Sequence, residues 1–252
     1  MTSLAVIILC RDELDHLGPC IESARFADEV LVFVDATSPA LDDVCRLAQS
    51  AGARVCQRRF DDFAHHRNAA LDAVDADWVL FLDVDERVTP DLADEIRRVM
   101  QSPQAMGYGI PRHNYIFGRL TRHAGWYPDY QTRLLRRGRA RYDPERPVHE
   151  VVLLDGEKSY LKHPLIHYNY RDLAHFVEKQ RHYARLDADI LYEQGVRPRL
   201  RHFVLQPLRQ FRWRFFTLQG YRDGWHGLRL SLLMAWYEWL KYRALAARWR
   251  SA

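Results

Sequence analysis

The chain has 252 residues, 48% of them hydrophobic and 12% aromatic, with a formal net charge of +4, which suffices for a sizeable core in one main domain with an appendage. This composition excludes a disordered or low-complexity chain, and four cysteines at positions 10, 20, 45 and 56 without CxxC spacing read as reduced core residues, not as a disulfide scaffold or a zinc site. The apolar start, Leu4 to Leu9, has no basic flank before it, is too short for a signal h-region and runs straight into Arg11, Asp12 and Glu13, so a cytoplasmic location is expected.

In chain order, "LAVIIL" predicts a strand and "DELDHLGPCIESA" a helix broken or shifted near Gly18-Pro19. "EVLVFV" is a second strand ending at Asp35, followed by a helix near Leu41 to Ser50, a short strand "ARVCQR", a helix from about Ala64 to Val74 and a strand from Trp78 to Leu82. This alternation predicts an α/β fold with a mostly parallel, Rossmann-like sheet. Ligands of such sheets bind beyond the carboxyl ends of the strands, here Arg11 to Glu13, Asp35 and Asp83 to Glu86. Thr89 is placed to cap a helix starting at Pro90 and stopping before Pro103. From Gly107 to Asn169 short apolar runs separated by Gly, Pro and charges predict irregular strands and active-site loops. Asp172 to Gln194 reads as an amphipathic helix closed by Gly195. The expected division is a catalytic domain over 1–170 and a helical region over 171–252.

The stretch "WVLFLDVDERVTPDL" discharges a buried strand into three carboxylates, whose repulsion water, a helix terminus or a cation must relieve. On an extended segment the side chains at i and i+2 point the same way, so Asp83 and Asp85 can present oxygens to one Mg²⁺ or Mn²⁺ ion, with water and substrate phosphates completing the shell. That describes a nucleotide-diphosphate site; a solvated acidic turn before the next helix is the plainer alternative. An EF-hand starting at Asp83 fails, because its fifth, sixth and twelfth positions hold Arg87, Val88 and Asp94. A haloacid-dehalogenase-like phosphohydrolase with Asp83 as nucleophile remains as runner-up, weakened by Arg87 and by the strands that precede the motif.

Eight stretches recur together in one known family: "VIILCRDE", "VLVFVDATS", "FAHHRNAAL", "WVLFLDVDERVTPDLADEI", "GYGIPRHNYIFG", "AGWYPDYQTRLLRRG", "RPVHE" and "HYNYRDLAHFVEK". In this ordered set the chain resembles glycosyltransferase family 2, and within it the bacterial group similar to lipopolysaccharide-core β-glucosyltransferases. The resemblance implies a GT-A fold, a UDP-sugar or similar nucleotide-sugar donor, inversion at the anomeric carbon and a divalent ion, Mg²⁺ or Mn²⁺. It places Asp35 on the nucleoside, although "ATSPALD" replaces the small, Gly-containing residues that usually follow. It puts Arg11 and Glu13 where the family usually has Lys-Asn-Glu, and Arg67 with Asn68 where a guanidinium can hold phosphate bidentately. Asp83 and Arg133 belong to the donor end and Asp85 to the metal. The adjacent His65 and His66 diverge by about 100° on a helix and do not make a paired metal site.

A direct displacement needs a carboxylate to deprotonate the acceptor hydroxyl. The resemblance, in which the base sits in an acidic motif after the metal residues and upstream of an Arg, implies Asp129 in "WYPDYQTRL" as that base, with Glu150 in reserve. His149 is a candidate ligand for the metal or the diphosphate. Trp126 either stacks on a sugar or packs its loop; Tyr115, Tyr127 and Tyr130 are more simply core residues. Glu86 receives no role.

The tail differs in charge. From Val196 to Ala252 there are 12 Lys or Arg against Asp223 and Glu238, a net +10 that leaves −6 for residues 1–195. Five of the seven tryptophans lie there as well. Such interleaving suits peripheral contact with an anionic membrane that presents a lipid-linked saccharide acceptor. Nucleic acid and a helical pair packed in the protein or in a homodimer are the less favoured alternatives. The remaining competing function is a non-catalytic membrane- or nucleic-acid-binding adaptor on a transferase scaffold.

Overall fold

The structure, a computed structural model, describes residues 2–145 and 151–251. Strands and helices alternate first: β1 Leu4–Cys10, α1 Leu14–Ala24, β2 Glu29–Asp35, α2 Leu41–Ser50, β3 Arg54–Arg58, α3 Phe63–Asp72, β4 Trp78–Asp83, the two-residue β5 Glu86–Arg87, and α4 Pro90–Gln101. Seven more strands follow: β6 Gly107–Ile116, β7 Arg119–Thr121, β8 Tyr130–Arg136, β9 Ala140–Tyr142, β10 Val152–Leu154, β11 Lys158–Tyr160 and β12 Leu165–Tyr170. Helices close the chain: α5 Leu173–Glu193, α6 Leu200–Arg212 and α7 Gly224–Arg250, with a π turn at Trp213–Thr217 and a 3₁₀ turn at Gly220–Asp223 before α7. Two compact units result, Met1–Arg112 with Asp129–His167, and His113–Pro128 with Tyr168–Ala252. A boundary drawn along the sequence cannot group residues 113–128 with the last helices in this way.

In the first unit, β3, β2, β1 and β4 run parallel, with β1 between β2 (Cys10 opposite Val34) and β4 (Leu9 opposite Asp83). Period-two alternation then assigns the faces. Leu4, Val6 and Ile8 of β1 join Leu17 and Ile21 of α1, Val44 of α2 and Leu92 and Ile96 of α4 in one core. Ala5 and Ile7 turn the other way and meet Ala64, Ala70 and Leu71 of α3 with Phe81 of β4. Antiparallel strands extend the sheet, β8 against β4 and β6 against β8, with a bulge between Tyr108 and Gly109. The β6 strand is ten residues long, more regular than its spaced apolar runs predict. β5 pairs with β12, Glu86 opposite His167.

The expected cap at Thr89 is present, and the structure adds two more. Thr89 accepts from the N–H of Leu92 at 3.3 Å ahead of Pro90, and Asp62 and Asp172 cap α3 and α5 through His65 and His175. Gly195 follows α5 in the left-handed region at φ +73°. One expectation is corrected: α1 continues through Pro19. The residue before a proline avoids the helical region because its Cβ meets the proline ring, and Gly18 has no Cβ. The cysteines are free, and burial pushes the Cys10 thiol up to about 12, which makes it inert.

In the second unit, the end of β6 and β7 form a hairpin through Phe117 and Gly118, both at positive φ (53° and 74°), as a two-residue turn between right-twisted strands requires. Ile116, Tyr170 and Phe176 pack with Leu230 and Met234 of α7. At Gly227 a Cβ would stand 1.9 Å from the carbonyl oxygen of Gly220, so only glycine admits this crossing of α7 and the 3₁₀ turn. Asp223 ties the loop before it, accepting from the N–H groups of Arg122 and His123 at 3.1 and 2.8 Å. Among the described residues no helix is long and apolar enough to cross a membrane.

Candidate active site

The parallel order β2-β1-β4 brings Asp35, Arg11 and Asp83 to neighbouring strand ends on one edge of the sheet. The extended segment stops at Asp83, and Val84 and Asp85 form a turn before β5. The expectation that Asp83 and Asp85 point the same way therefore does not hold: Asp83 shares Arg133 with Glu86, whereas Asp85 faces His167.

Asp83 accepts from Nη2 of Arg67 at 3.1 Å through one oxygen and from Nη2 of Arg133 through the other. Burial opposes its charge, but Arg133 and Arg67 outweigh burial and hold the carboxyl well below the usual range. Burial likewise works against the Arg133 cation, and Asp83 and Glu86 keep its pKa well above the ordinary value. Arg67, on α3, lies over the rings of Phe81 and Tyr142 at 5.3 and 5.4 Å, a stacking that Lys would not reproduce.

Glu86, to which the sequence assigned nothing, is the centre of the group, with 0% of its surface exposed. One of its oxygens accepts from the N–H of Asp83 at 3.1 Å; the other accepts from Arg133 at 3.1 Å and from Arg112 at 3.2 Å. Arg112 in turn donates through Nε and Nη2 to one oxygen of Asp129, at 2.9 and 2.6 Å, and Gln131 donates to the other at 3.0 Å. Six charged side chains thus alternate in sign: Asp129, Arg112, Glu86, Arg133, Asp83, Arg67. Each buried charge is matched by its neighbours, the condition under which buried ions are tolerated.

Asp85 leaves this chain and faces Nε2 of His167 at 3.5 Å. The Asp85 side chain is 25% exposed and that of His167 9%, so the carboxylate stays within reach of solvent while the imidazole backs it. Among the described residues no group of three or more His, Cys, Asp or Glu is arranged to hold a metal ion. His149 and Glu150, the candidate ligand and the reserve base, lie outside the described residues.

The β1 and β2 ends are more self-contained. Asp35 accepts from the backbone N–H and hydroxyl of Thr37 at 2.9 and 2.8 Å and from the N–H of Phe60 at 3.1 Å. Burial raises its pKa, yet these hydrogen bonds and Arg11, whose Nε lies 3.8 Å away, bring it below the usual carboxylate range. Glu13 folds back to accept from the N–H groups of Arg11 and Asp12 at 3.0 and 3.1 Å, a local turn role. Arg11 itself is exposed. His65 and His66 diverge as expected: His65 bonds to Asp62 at 2.7 Å, whereas His66 is buried against the edge of Phe33 with ring centroids 4.8 Å apart.

Three residues escaped the sequence reading: Glu86, Arg112 and His167. Arg112 follows Pro111 within "GYGIPRHNYIFG" and His167 opens "HYNY", so both sat inside recognised stretches without a neighbour that marked them as charge partners. Trp126, placed between two roles, belongs to the second unit and packs there, 6.1 Å from Tyr170 and under the guanidinium of Arg214 at 5.3 Å.

A parallel β3-β2-β1-β4 half-sheet extended by antiparallel strands, with acidic and basic side chains gathered at its C-terminal edge, is the GT-A architecture of a glycosyltransferase. The chain belongs to glycosyl transferase family 2, whose family model matches residues 5–162. It is 28% identical over 249 residues to the lipopolysaccharide core biosynthesis glycosyltransferase LpsC of Rhizobium meliloti (strain 1021), covering 94% of this chain and 89% of that one. An uncharacterized glycosyltransferase of Rickettsia bellii (strain RML369-C) is 24% identical over 256 residues, covering 96% and 85%. Among solved structures, S. aureus TarS superposes with a TM-score of 0.50 at 14% identity, over 95% of this chain and 55% of that one, a likeness of fold. Family membership sets the phosphohydrolase reading aside, and Asp83, with both oxygens paired to arginine, is in any case a poor nucleophile.

Proposed function

We propose that the protein is an inverting, metal-dependent hexosyltransferase that moves a sugar, glucose being the first candidate, from a UDP-sugar or similar donor to a saccharide of the cell envelope such as lipopolysaccharide core. The observation that carries this reading is the alternating chain from Asp129 to Arg67, which joins the candidate base to the donor-end carboxylate at the ligand edge of the sheet. The acceptor class rests on the likeness to LpsC.

In this reading Arg112 and Gln131 orient the Asp129 carboxylate. The acceptor hydroxyl gives its proton to Asp129 as its oxygen bonds to the anomeric carbon, and the nucleoside diphosphate leaves from the opposite face. The Arg67, Asp83 and Arg133 group lies at the donor end, and Asp35 and Arg11 at the nucleoside end. Carboxylate oxygen and imidazole nitrogen are a suitable donor pair for Mg²⁺ or Mn²⁺ whose other ligands are water and phosphate, so Asp85, with His167 beside it and His149 as a further candidate, would hold the ion. When bound, the cation neutralises charge developing on the departing diphosphate. The 1–170 and 171–252 segments act as catalytic and accessory parts, and the protein works in the cytoplasm.

The test is a nucleotide-sugar panel with the purified protein, with and without EDTA. Transfer should need a divalent ion and fall with Asp85→Ala. Asp129→Asn should keep donor binding while lowering transfer by about 10²- to 10⁴-fold; undiminished transfer would assign the base elsewhere.

A further inference from the structure

The helix α6 has no buried residue among its thirteen, unusual for a helix that packs on another. Leu200, Val204, Leu205 and Leu208 are 84%, 54%, 59% and 60% exposed. At 100° per residue they occupy an arc of about 140°. Arg201, Arg209 and Arg212 are exposed too, and fall within or just beside that arc, among the aliphatic side chains instead of across the helix from them. The opposite side is turned to α7, where the His202 and Tyr242 rings lie 4.9 Å apart. The π turn that follows adds exposed Trp213 and Phe216.

Charge narrows the choice of occupant. Val196 to Arg212 contains five arginines and no acidic residue. A second copy of the same face would set like charges against each other. Single-stranded nucleic acid takes stacking rings, and what α6 exposes along its length is aliphatic. An anionic lipid surface accepts both components: the acyl boundary takes the leucines, headgroup phosphates take the guanidiniums, and the arginine stems reach between the two layers.

We propose that this face of α6 is a docking surface for anionic bilayer lipid, on which the helix lies in the plane of the headgroups. The inference goes beyond the transferase reading and holds whatever the donor or acceptor.

The test is co-sedimentation of the full-length protein with phosphatidylcholine vesicles and with vesicles containing phosphatidylglycerol. Binding should be at least about tenfold stronger on the anionic vesicles and weaken as salt rises. The pair Leu205→Asp and Leu208→Asp, and separately the triple Arg201→Gln, Arg209→Gln and Arg212→Gln, should each lower it by about tenfold or more. These positions are exposed, so circular dichroism and melting temperature should stay at the parent values, and so should donor binding. Equal binding to neutral vesicles, or variants that bind as the parent does, would overturn the proposal. So would self-association in sedimentation velocity that Leu208→Asp abolishes, or a preference for an oligonucleotide over the anionic vesicles.

Discussion

Arginine meets mostly carboxylates in the first unit, where Arg67 and Arg97 also stack on rings, and mostly aromatic rings in the second, where Arg171 and Arg248 also pair with an aspartate. Arg67, Arg112 and Arg133 are threaded among Asp83, Glu86 and Asp129. In the other unit Arg229 lies over Phe117 at 4.4 Å, Arg197 over Trp249 at 4.6 Å and Arg243 over Trp239 at 5.2 Å; Arg248 does both, on Tyr192 and with Asp189. Pairing with a carboxylate cancels charge and fixes the acid. Stacking on a ring fixes the cation and leaves its charge uncancelled. One residue type therefore supplies an interior of matched charges in one unit and a basic exterior in the other.

Three measurements would break or sharpen that contrast. The largest effect should come from Glu86→Ala, which leaves Arg112 and Arg133 facing a hole in the buried chain. It should cost about 3–5 kcal/mol, read as a loss of hydrogen-exchange protection in β4 and β8 ahead of α7; equal protection in both units would mean that the matched charges are not what holds the first unit. Next comes acidification. Burial, with Arg58 nearby, pushes the His66 imidazole down, so the native state stays neutral while the unfolded chain takes a proton below about pH 6.5. Stability should fall as pH drops below that value, by at most about 1.4 kcal/mol per pH unit for one group, and His66→Gln should flatten the slope in urea titrations. Asp35, held below the usual carboxylate range, contributes stability above about pH 4 that disappears on further acidification through its folded pKa. The smallest effect belongs to the second unit: Arg229→Gln should cost about 0.5–1 kcal/mol by removing an exposed cation from a half-buried ring, and double-mutant pairing with Phe117→Leu would isolate it.

The parallel half of the fold was legible because its signals are local. Apolar runs, the cap at Thr89 and the Gly195 stop each act within a few residues, and the structure has them in place. The site was legible as a set of strand ends for the same reason. What the letters could not carry was pairing at a distance. Glu86 depends on Arg112 and Arg133, 26 and 47 positions away, and Asp85 on His167. Nor does a period-two rule reveal that the strand stops at Asp83, because the turn is decided by where Glu86 finds its arginines. Pro19 misled for a local reason with a local remedy, the missing Cβ of Gly18.

The turn at Val84-Asp85 makes neighbouring acids non-interchangeable. A chain in which Asp85 and Glu86 exchange identities has the same composition, the same net charge and nearly the same hydropathy profile. Yet it shortens the buried carboxylate by one methylene at the point where two guanidiniums and a backbone N–H converge, and lengthens the one that faces His167. Such a permutation is a compact way to ask whether this loop is read by its charge or by its addresses: a protein that merely needed acidity there would tolerate the exchange.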